Sequence, residues 1–165
     1  MSSPPRSRIR TARPGDDSSL RQIDIATWTV HVSPAPPPAA DASFFENTAC
    51  ADVLVAEIDR KVVGYVKLGP FYEITTSSHV LEIQGIAIAP EHQRRGIGRQ
   101  LIQAAIAFAR QRDFRKLMLR VLSSNQPART LYETCGFNTE AILREQFLLD
   151  GNYVDDVFMA IHLAT

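Results

Sequence analysis

Between a β-rich run and a run with helical periodicity, the chain reads Pro90-Glu91-His92-Gln93-Arg94-Arg95-Gly96-Ile97-Gly98. The first turn of a helix has unpaired N–H groups and the positive end of the helix dipole, and glycine lets a phosphate approach the backbone closely. Arg94, Arg95 and Arg99 add positive charge to this junction. We therefore interpret the segment either as a pyrophosphate cradle or as an ordinary strand-to-helix turn with solvated arginines.

The periodicity changes across this junction. Residues Val80–Ile88 are rich in β-forming types and end at Ala89-Pro90. From Gly98 to about Arg112, apolar residues recur at helical spacing and form a broad stripe. The members of the stripe are Leu101, Ile102, Ala105, Ile106, Phe108 and Ala109. The pattern predicts a strand, a glycine-bearing turn and a helix that packs on the sheet.

Turn residues and short apolar runs predict the remaining elements. A first strand, Arg8–Ala12, precedes a helix that begins near Asp17 and ends at the proline-rich residues 33–38, because proline lacks the N–H that a helix needs. A short helix is predicted near Ala42–Thr48. The other predicted elements are hairpin strands Val53–Ala56 and Val62–Val66, strand Leu117–Leu122, helix Pro127–Cys135, and closing strands Ala141–Leu149 and Val154–His162. This order predicts a mixed α/β fold.

A second informative segment is Asn125-Gln126-Pro127-Ala128-Arg129-Thr130-Leu131-Tyr132-Glu133-Thr134-Cys135-Gly136-Phe137. Ala128, Leu131 and Tyr132 share one face of a helix, and Gly136 suits the left-handed turn that ends it. Gln93-x-x-Gly96-x-Gly98 resembles the Q/R-x-x-G-x-G/A motif of GNAT acetyltransferases. The downstream segment resembles the family's N-x-x-A-x-x-L-Y-x-x-x-G-F pattern, and the two motifs occur in the family's order.

The resemblance implies the GNAT fold, an α/β (α+β) architecture with a mixed central sheet of about seven strands flanked by about four helices. It also implies an N-acetyltransferase with acetyl-CoA as co-substrate. Backbone N–H groups from about Arg94 to Arg99 would bind the pyrophosphate, while Ile86–Ile88 and Asn125 would contact the pantetheine arm. The cofactor-binding residues implied in this way are Ile86, Ala87, Ile88, Gln93, Arg94, Arg95, Gly96, Ile97, Gly98, Arg99 and Asn125.

Acetyl transfer to an amine needs a base for the ammonium proton and a proton donor for the departing thiolate. Tyr132 is the predicted general acid. Glu82 is the predicted general base, directly or through a water, because it lies eleven residues before Gln93, where some family members have a catalytic glutamate. Strand alternation predicts one shared face for Glu82, Gln84, Ile86 and Ile88. The alternatives are His79 or His92 as the base, with Glu82 a strand-end carboxylate that lies in solvent or forms a salt bridge.

Composition bears on the class of protein. The 165 residues, 45% hydrophobic and 22% charged, fit one domain, predicted over residues 8–165 after a flexible tail of residues 1–7. Eighteen Lys+Arg balance eighteen Asp+Glu, so no nucleic-acid or membrane partner is predicted. Cys50 and Cys135 form no CxxC pair, and no metal site is predicted. The polar N-terminus and the absence of a long apolar run predict a soluble, cytoplasmic protein.

The predicted acceptor is a primary amine of a small molecule, an amino acid or a protein N-terminus. The tail from Arg144 to Asp155 is similar to family members that acetylate free amino acids or protein N-termini, while polyamines, aminoglycosides and lysine side chains remain alternatives. Loops Val32–Ala40 and Phe71–His79 and the closing hairpin, with Phe147, Tyr153 and Asp155, are predicted to form the pocket. The acidic residues Asp150, Asp155 and Asp156 are predicted to be solvated, or to favour a cationic acceptor if they face the site.

Two other functions compete with catalysis. A non-catalytic acyl-CoA-binding sensor would keep the phosphate turn, but the presence of Tyr132 argues against it. A nucleotide-binding regulator would need the lysine of a P-loop, which the turn lacks. A homodimer is a further prediction, formed across the closing strands through Val154, Val157, Phe158 and Ile161.

Overall fold

The computed structural model describes residues 7–164, which form a seven-stranded sheet and three α-helices. In chain order the elements are β1 Arg8–Thr11, α1 Asp17–Thr27, β2 Val53–Ile58, β3 Lys61–Pro70, β4 Val80–Ile88, α2 Ile97–Gln111, β5 Lys116–Leu122, α3 Gln126–Thr134, β6 Asn138–Leu149 and β7 Asn152–His162. The predicted mixed sheet is confirmed. The predicted tail, residues 1–7, lies outside the described residues except for Ser7.

The strand order across the sheet is β1-β2-β3-β4-β5-β7-β6, and only β4 and β5 are parallel neighbours. Their pairing covers Val80–Ile83 against Lys116–Leu119 and stops there. Both strands continue, β4 to Ile88 and β5 to Leu122. Residues 84–88 and 120–122 therefore border an opening in the sheet, which we call the strand gap.

The sheet carries a hydrophobic core on each face. The larger core packs against α2 and α3 and includes Ile83, Leu119 and Tyr132. The smaller core lies under α1 and includes Leu20 and Tyr65. We call the two sides the α2 face and the α1 face. Within residues 7–164, no helix is long and apolar enough to cross a bilayer.

A β-bulge in β4 changes which side chains share a face. The register between β3 and β4 shifts so that Gln84 is an extra residue of β4. Ile83 and Ile86 consequently pack in the same core on the α2 face, although they are three residues apart. Glu82, one residue before Ile83, lies on the α1 face. The predicted shared face of Glu82, Gln84, Ile86 and Ile88 is wrong, because the bulge shifts the alternation by one residue.

The loop between α1 and β2 is fixed to α1 by side chains rather than by a helix of its own. Residues 42–48 form turns, so the helix predicted there is wrong. Asp17 accepts hydrogen bonds from the Ser43 hydroxyl (2.6 Å) and the Phe45 N–H (3.2 Å). Farther back in the loop, the Trp28 Nε1–H donates to the Ala35 carbonyl (3.0 Å). These contacts hold the proline-rich segment beside the sheet.

Candidate active site

A cleft of about 820 Å³ runs along the strand gap from the start of α2 to the proline-rich loop. Its lining includes most of the residues predicted for the site. They are Ile86, Ala87, Ile88, Gln93, Arg94, Gly96, Ile97, Gly98, Arg99, Asn125 and Tyr132. Arg95 is exposed and does not line the cleft, whereas Glu82 lines a smaller pocket beside it.

The turn before α2 presents a row of free backbone donors. Within residues 7–164, no acceptor is present for the N–H groups of residues 94–99, and the first hydrogen bond of α2 runs from Gln100 N–H to Gly96 O (3.1 Å). Arg94 and Gly96 have positive φ angles of 61° and 80°. A Cβ built at Gly96 would meet nothing within 4 Å. Free donors, a helix N-terminus and flanking arginines fit a pyrophosphate.

Neighbouring contacts fix the position of this turn. The Gln93 side-chain amide donates to the Ile88 carbonyl (3.0 Å), which ties the turn to the end of β4. A Cβ at Gly98 would come within 3.1 Å of Leu131, so the glycine lets α3 approach the first turn of α2. Asn125 caps α3 by accepting a hydrogen bond from the Ala128 N–H (3.4 Å). Within residues 7–164 the Asn125 amide nitrogen has no hydrogen-bond partner, and because Asn125 lines the cleft this nitrogen is available to a ligand.

Replacing Gly96 with tryptophan should weaken acetyl-CoA binding at least about tenfold, because a bulky side chain would occupy the space in front of the free donors. Calorimetric titration with acetyl-CoA measures the effect. Gly151→Trp is the matched control, since Gly151 also has a positive φ (78°) and open space at its Cβ but lies in the β6–β7 turn. Unchanged affinity in a folded Gly96→Trp variant would disprove the cradle.

Tyr132 lies on α3 at the α2-face side of the cleft and is 6% exposed. Burial raises the pKa of its phenol, with a smaller contribution from nearby Cys135. The hydroxyl therefore stays protonated at neutral pH and has no hydrogen-bond partner within residues 7–164. A protonated hydroxyl without a partner is suited to donate to a ligand in the cleft.

Glu82 lines a side pocket of about 240 Å³ that shares Ile83 and Arg120 with the main cleft. Burial raises the pKa of the Glu82 carboxyl; the charge of Arg120 opposes this shift and the charge of Asp156 adds to it. A carboxyl with a raised pKa at the closed end of the strand gap is suited to accept a proton.

The two predicted catalytic groups lie on opposite sides of the sheet opening. Tyr132 belongs to the core on the α2 face, and Glu82 lies on the α1 face. A reacting carbonyl in the strand gap would have an acid on one side and a base on the other. This arrangement suits direct attack by an amine from the α1 face.

Some of the other residues and segments predicted for the site line the pockets, and others do not. His92 lines the cleft, but His79 lies in the exposed β3–β4 connection and lines neither pocket. The proline-rich loop and Phe147 line the pockets as predicted, whereas the segment Phe71–His79 and the hairpin residues Tyr153 and Asp155, also predicted to form the pocket, line neither pocket. Asp156 is 2% exposed and paired with Arg120, so its predicted solvation is wrong.

Two of the four residues predicted to form a dimer face are buried within the chain, and the other two, Phe158 and Ile161, are partly exposed. Val154 is 8% exposed and Val157 is 1% exposed, and Val157 belongs to the protomer's own core. Phe158 stacks edge-on against Phe71, with ring centroids 6.1 Å apart. These side chains are used within one chain, and dimer formation stays a prediction.

Sequence reasoning missed a polar pair on the α1 face. The Tyr65 hydroxyl donates to the Asp24 carboxylate (2.6 Å), and both residues line the cleft. Burial and the Asp24 charge raise the pKa of the Tyr65 phenol. Lys67, on the same face, also lines the cleft. The one signal in the sequence that could have indicated these residues is that they are polar and lie within largely apolar elements.

The family model of the acetyltransferase (GNAT) family matches residues 18–137, more than half of the chain. The chain belongs to the GNAT acetyltransferase family. This GNAT protein is 37% identical to the alanine N-acetyltransferase of ribosomal protein bS18 from Salmonella typhimurium, over 89% of this chain and 97% of that protein. It is also 37% identical to a Vibrio cholerae spermidine N(1)-acetyltransferase, over 62% of this chain and 57% of that one. The chain thus spans little more than half the length of the spermidine enzyme.

Solved structures of similar chains have the same fold. A Streptococcus mutans protein superimposes with a TM-score of 0.86 at 34% identity, covering 95% of this GNAT protein and 99% of that chain. A phosphinothricin acetyltransferase from Sinorhizobium meliloti, solved in complex with acetyl-CoA, superimposes with a TM-score of 0.80 at 20% identity. The superposition covers 96% of this protein and 89% of that chain. At that identity the second likeness shows the fold alone.

Proposed function

We propose that this protein transfers the acetyl group of acetyl-CoA directly to a primary amine, either of a small molecule or of a protein N-terminus. The observation that carries the proposal is the row of free N–H groups at residues 94–99, which opens onto a strand gap flanked by Tyr132 and Glu82. The similar proteins named above are enzymes for spermidine and for an alanine of a ribosomal protein, which supports both acceptor classes.

The proposed roles follow from the placement of each group. The amides of residues 94–99 bind the pyrophosphate, and the unpaired edge of β4 at Ile86–Ile88 orients the pantetheine arm. Bound acetyl-CoA supplies a thioester carbonyl and a thiolate leaving group. Glu82 takes the proton of the acceptor ammonium, directly or through a water, and Tyr132 holds a proton at its hydroxyl for the leaving sulfur.

A screen for coenzyme A release tests the proposal. Acetyl-CoA is mixed with the protein and with amino acids, polyamines, aminoglycosides or peptides that carry a free N-terminus. At least one class should give release that depends on both protein and amine. If acetyl-CoA binds but no acceptor gives release, the protein acts as the non-catalytic acyl-CoA sensor instead.

A further inference from the structure

Asp156 is a buried carboxylate that still lines the side pocket. It lies on β7, is 2% exposed, and borders the pocket together with Glu82 and Arg120. The Arg120 Nε donates to its Oδ2 (2.9 Å), and the Nη2 of the same guanidinium donates to the same oxygen. The other oxygen, Oδ1, has no hydrogen-bond partner within residues 7–164. Oδ1 is not among the fully buried polar atoms that lack a partner, so it is accessible from the pocket, and a ligand in the pocket that supplies a donor can bind it.

The pocket has more negative than positive charge. Glu82 and Asp156 contribute two carboxyl groups, and among residues 7–164 Arg120 is the single Lys or Arg side chain that lines the pocket. Arg120 gives two of its nitrogens to Asp156, and the Phe158 ring lies 5.1 Å from its guanidinium carbon. Pairing and stacking hold Arg120 in place and neutralise one carboxylate. The remaining negative charge is that of ionised Glu82, which favours a cation there, while the ion-paired Asp156 offers a second ammonium its free Oδ1.

We propose that Asp156 binds a second ammonium group of the acceptor, so that the acceptor is a diamine or a longer polyamine. The inference rests on the proposed function, because the reacting amine is placed at Glu82. The second ammonium donates to Asp156 Oδ1 and satisfies the unpartnered oxygen. Asp156 acts as a specificity-determining residue in this arrangement.

A free α-amino acid suits the pocket less well. Its carboxylate would lie close to the reacting amine and thus close to Glu82 and Asp156, which repel it. In the described part of the chain, the cationic side chain that lines this pocket is Arg120, and Asp156 already engages two of its nitrogens. The same chemistry predicts weaker binding of L-alanine than of a diamine.

Calorimetry with the full chain and saturating coenzyme A tests the inference without turnover. The probes are the diamine putrescine and the monoamine n-butylamine, which have carbon chains of equal length. Putrescine should bind at least about tenfold more tightly than n-butylamine. Asp156→Asn should weaken putrescine binding about ten- to a hundredfold and change n-butylamine binding less than about threefold. Asp155→Asn is the matched control, because Asp155 is the neighbour on the same strand and lines neither pocket.

Equal affinity of the wild-type protein for the two amines would overturn the inference, and this comparison needs no variant to fold. It would also be overturned by tighter binding of L-alanine, or by a putrescine preference that survives Asp156→Asn. Intact putrescine selectivity without any coenzyme A release would instead refute acetyl transfer and leave the inferred binding site standing.

Discussion

Replacing Tyr132 with phenylalanine should lower kcat by about 10²- to 10⁴-fold and leave acetyl-CoA affinity nearly unchanged, the range typical of a general acid. The substitution keeps the ring, which packs in the core on the α2 face beside Phe137. It removes only the hydroxyl, whose proton is needed when charge develops on the leaving sulfur. Because that hydroxyl has no partner within residues 7–164, its loss leaves no protein group unsatisfied, and the fold should persist.

Steady-state kinetics with the best acceptor from the screen, together with acetyl-CoA titration, measures this effect. Tyr65→Phe is the informative comparison, since Tyr65 also lines the cleft but donates its hydroxyl to Asp24. Tyr153→Phe, at a side chain 67% exposed in the closing hairpin, should change nothing. Near wild-type turnover of Tyr132→Phe would exclude Tyr132 as the general acid. A loss of turnover in Tyr65→Phe alone would assign the general-acid role to Tyr65.

Local sequence signals predicted the elements that carry the site. The apolar stripe of α2 repeats over four turns, so its helical periodicity stands out from background. The hairpin predicted from strands Val53–Ala56 and Val62–Val66 is present as β2 and β3, and the two residues that join them, Asp59 and Arg60, have positive φ angles of 49° and 64°. Gly136, predicted to end α3 in the left-handed region, has a φ of 98°. Each of these features is decided by neighbours in the chain.

Features that depend on distant partners were not predictable in the same way. The bulge at Gln84 is a shift in the register between β3 and β4. The apolar–polar alternation within β4 alone does not indicate where this shift occurs. Asp156 looked like part of a solvated acidic run, but Arg120, 36 residues away in sequence, pairs with it inside the sheet. Tyr65 and Asp24 are 41 residues apart and meet only in the fold.

Replacing Glu82 with glutamine should also lower kcat, by about 10²- to 10⁴-fold near neutral pH, because the acceptor ammonium would lose its proton acceptor. Part of the activity should return at high pH, where the amine deprotonates without help. Glu133→Gln is a suitable control, since Glu133 is exposed on α3 and lines neither pocket. A kcat/KM–pH profile identical to that of the wild type would assign the base to another residue or to water.

The thermal stability of Glu82→Gln distinguishes loss of a base from loss of the fold. Burial raises the pKa of Glu82, so the charged form is disfavoured in the folded protein. The stability that this group contributes is present at low pH and is lost as the pH rises through its folded pKa. At pH 7 a neutral glutamine removes the free-energy cost of burying a charged carboxylate, so the Tm of the variant should equal or exceed that of the wild type. Below the ordinary glutamate pKa the wild-type carboxyl is itself neutral, and the two Tm values should converge. If the variant is less stable than the wild type at pH 7 but not in acid, the charged Glu82 carboxylate stabilises the native state, and burial does not disfavour its charge. The activity of the variant would then have to be measured well below its Tm.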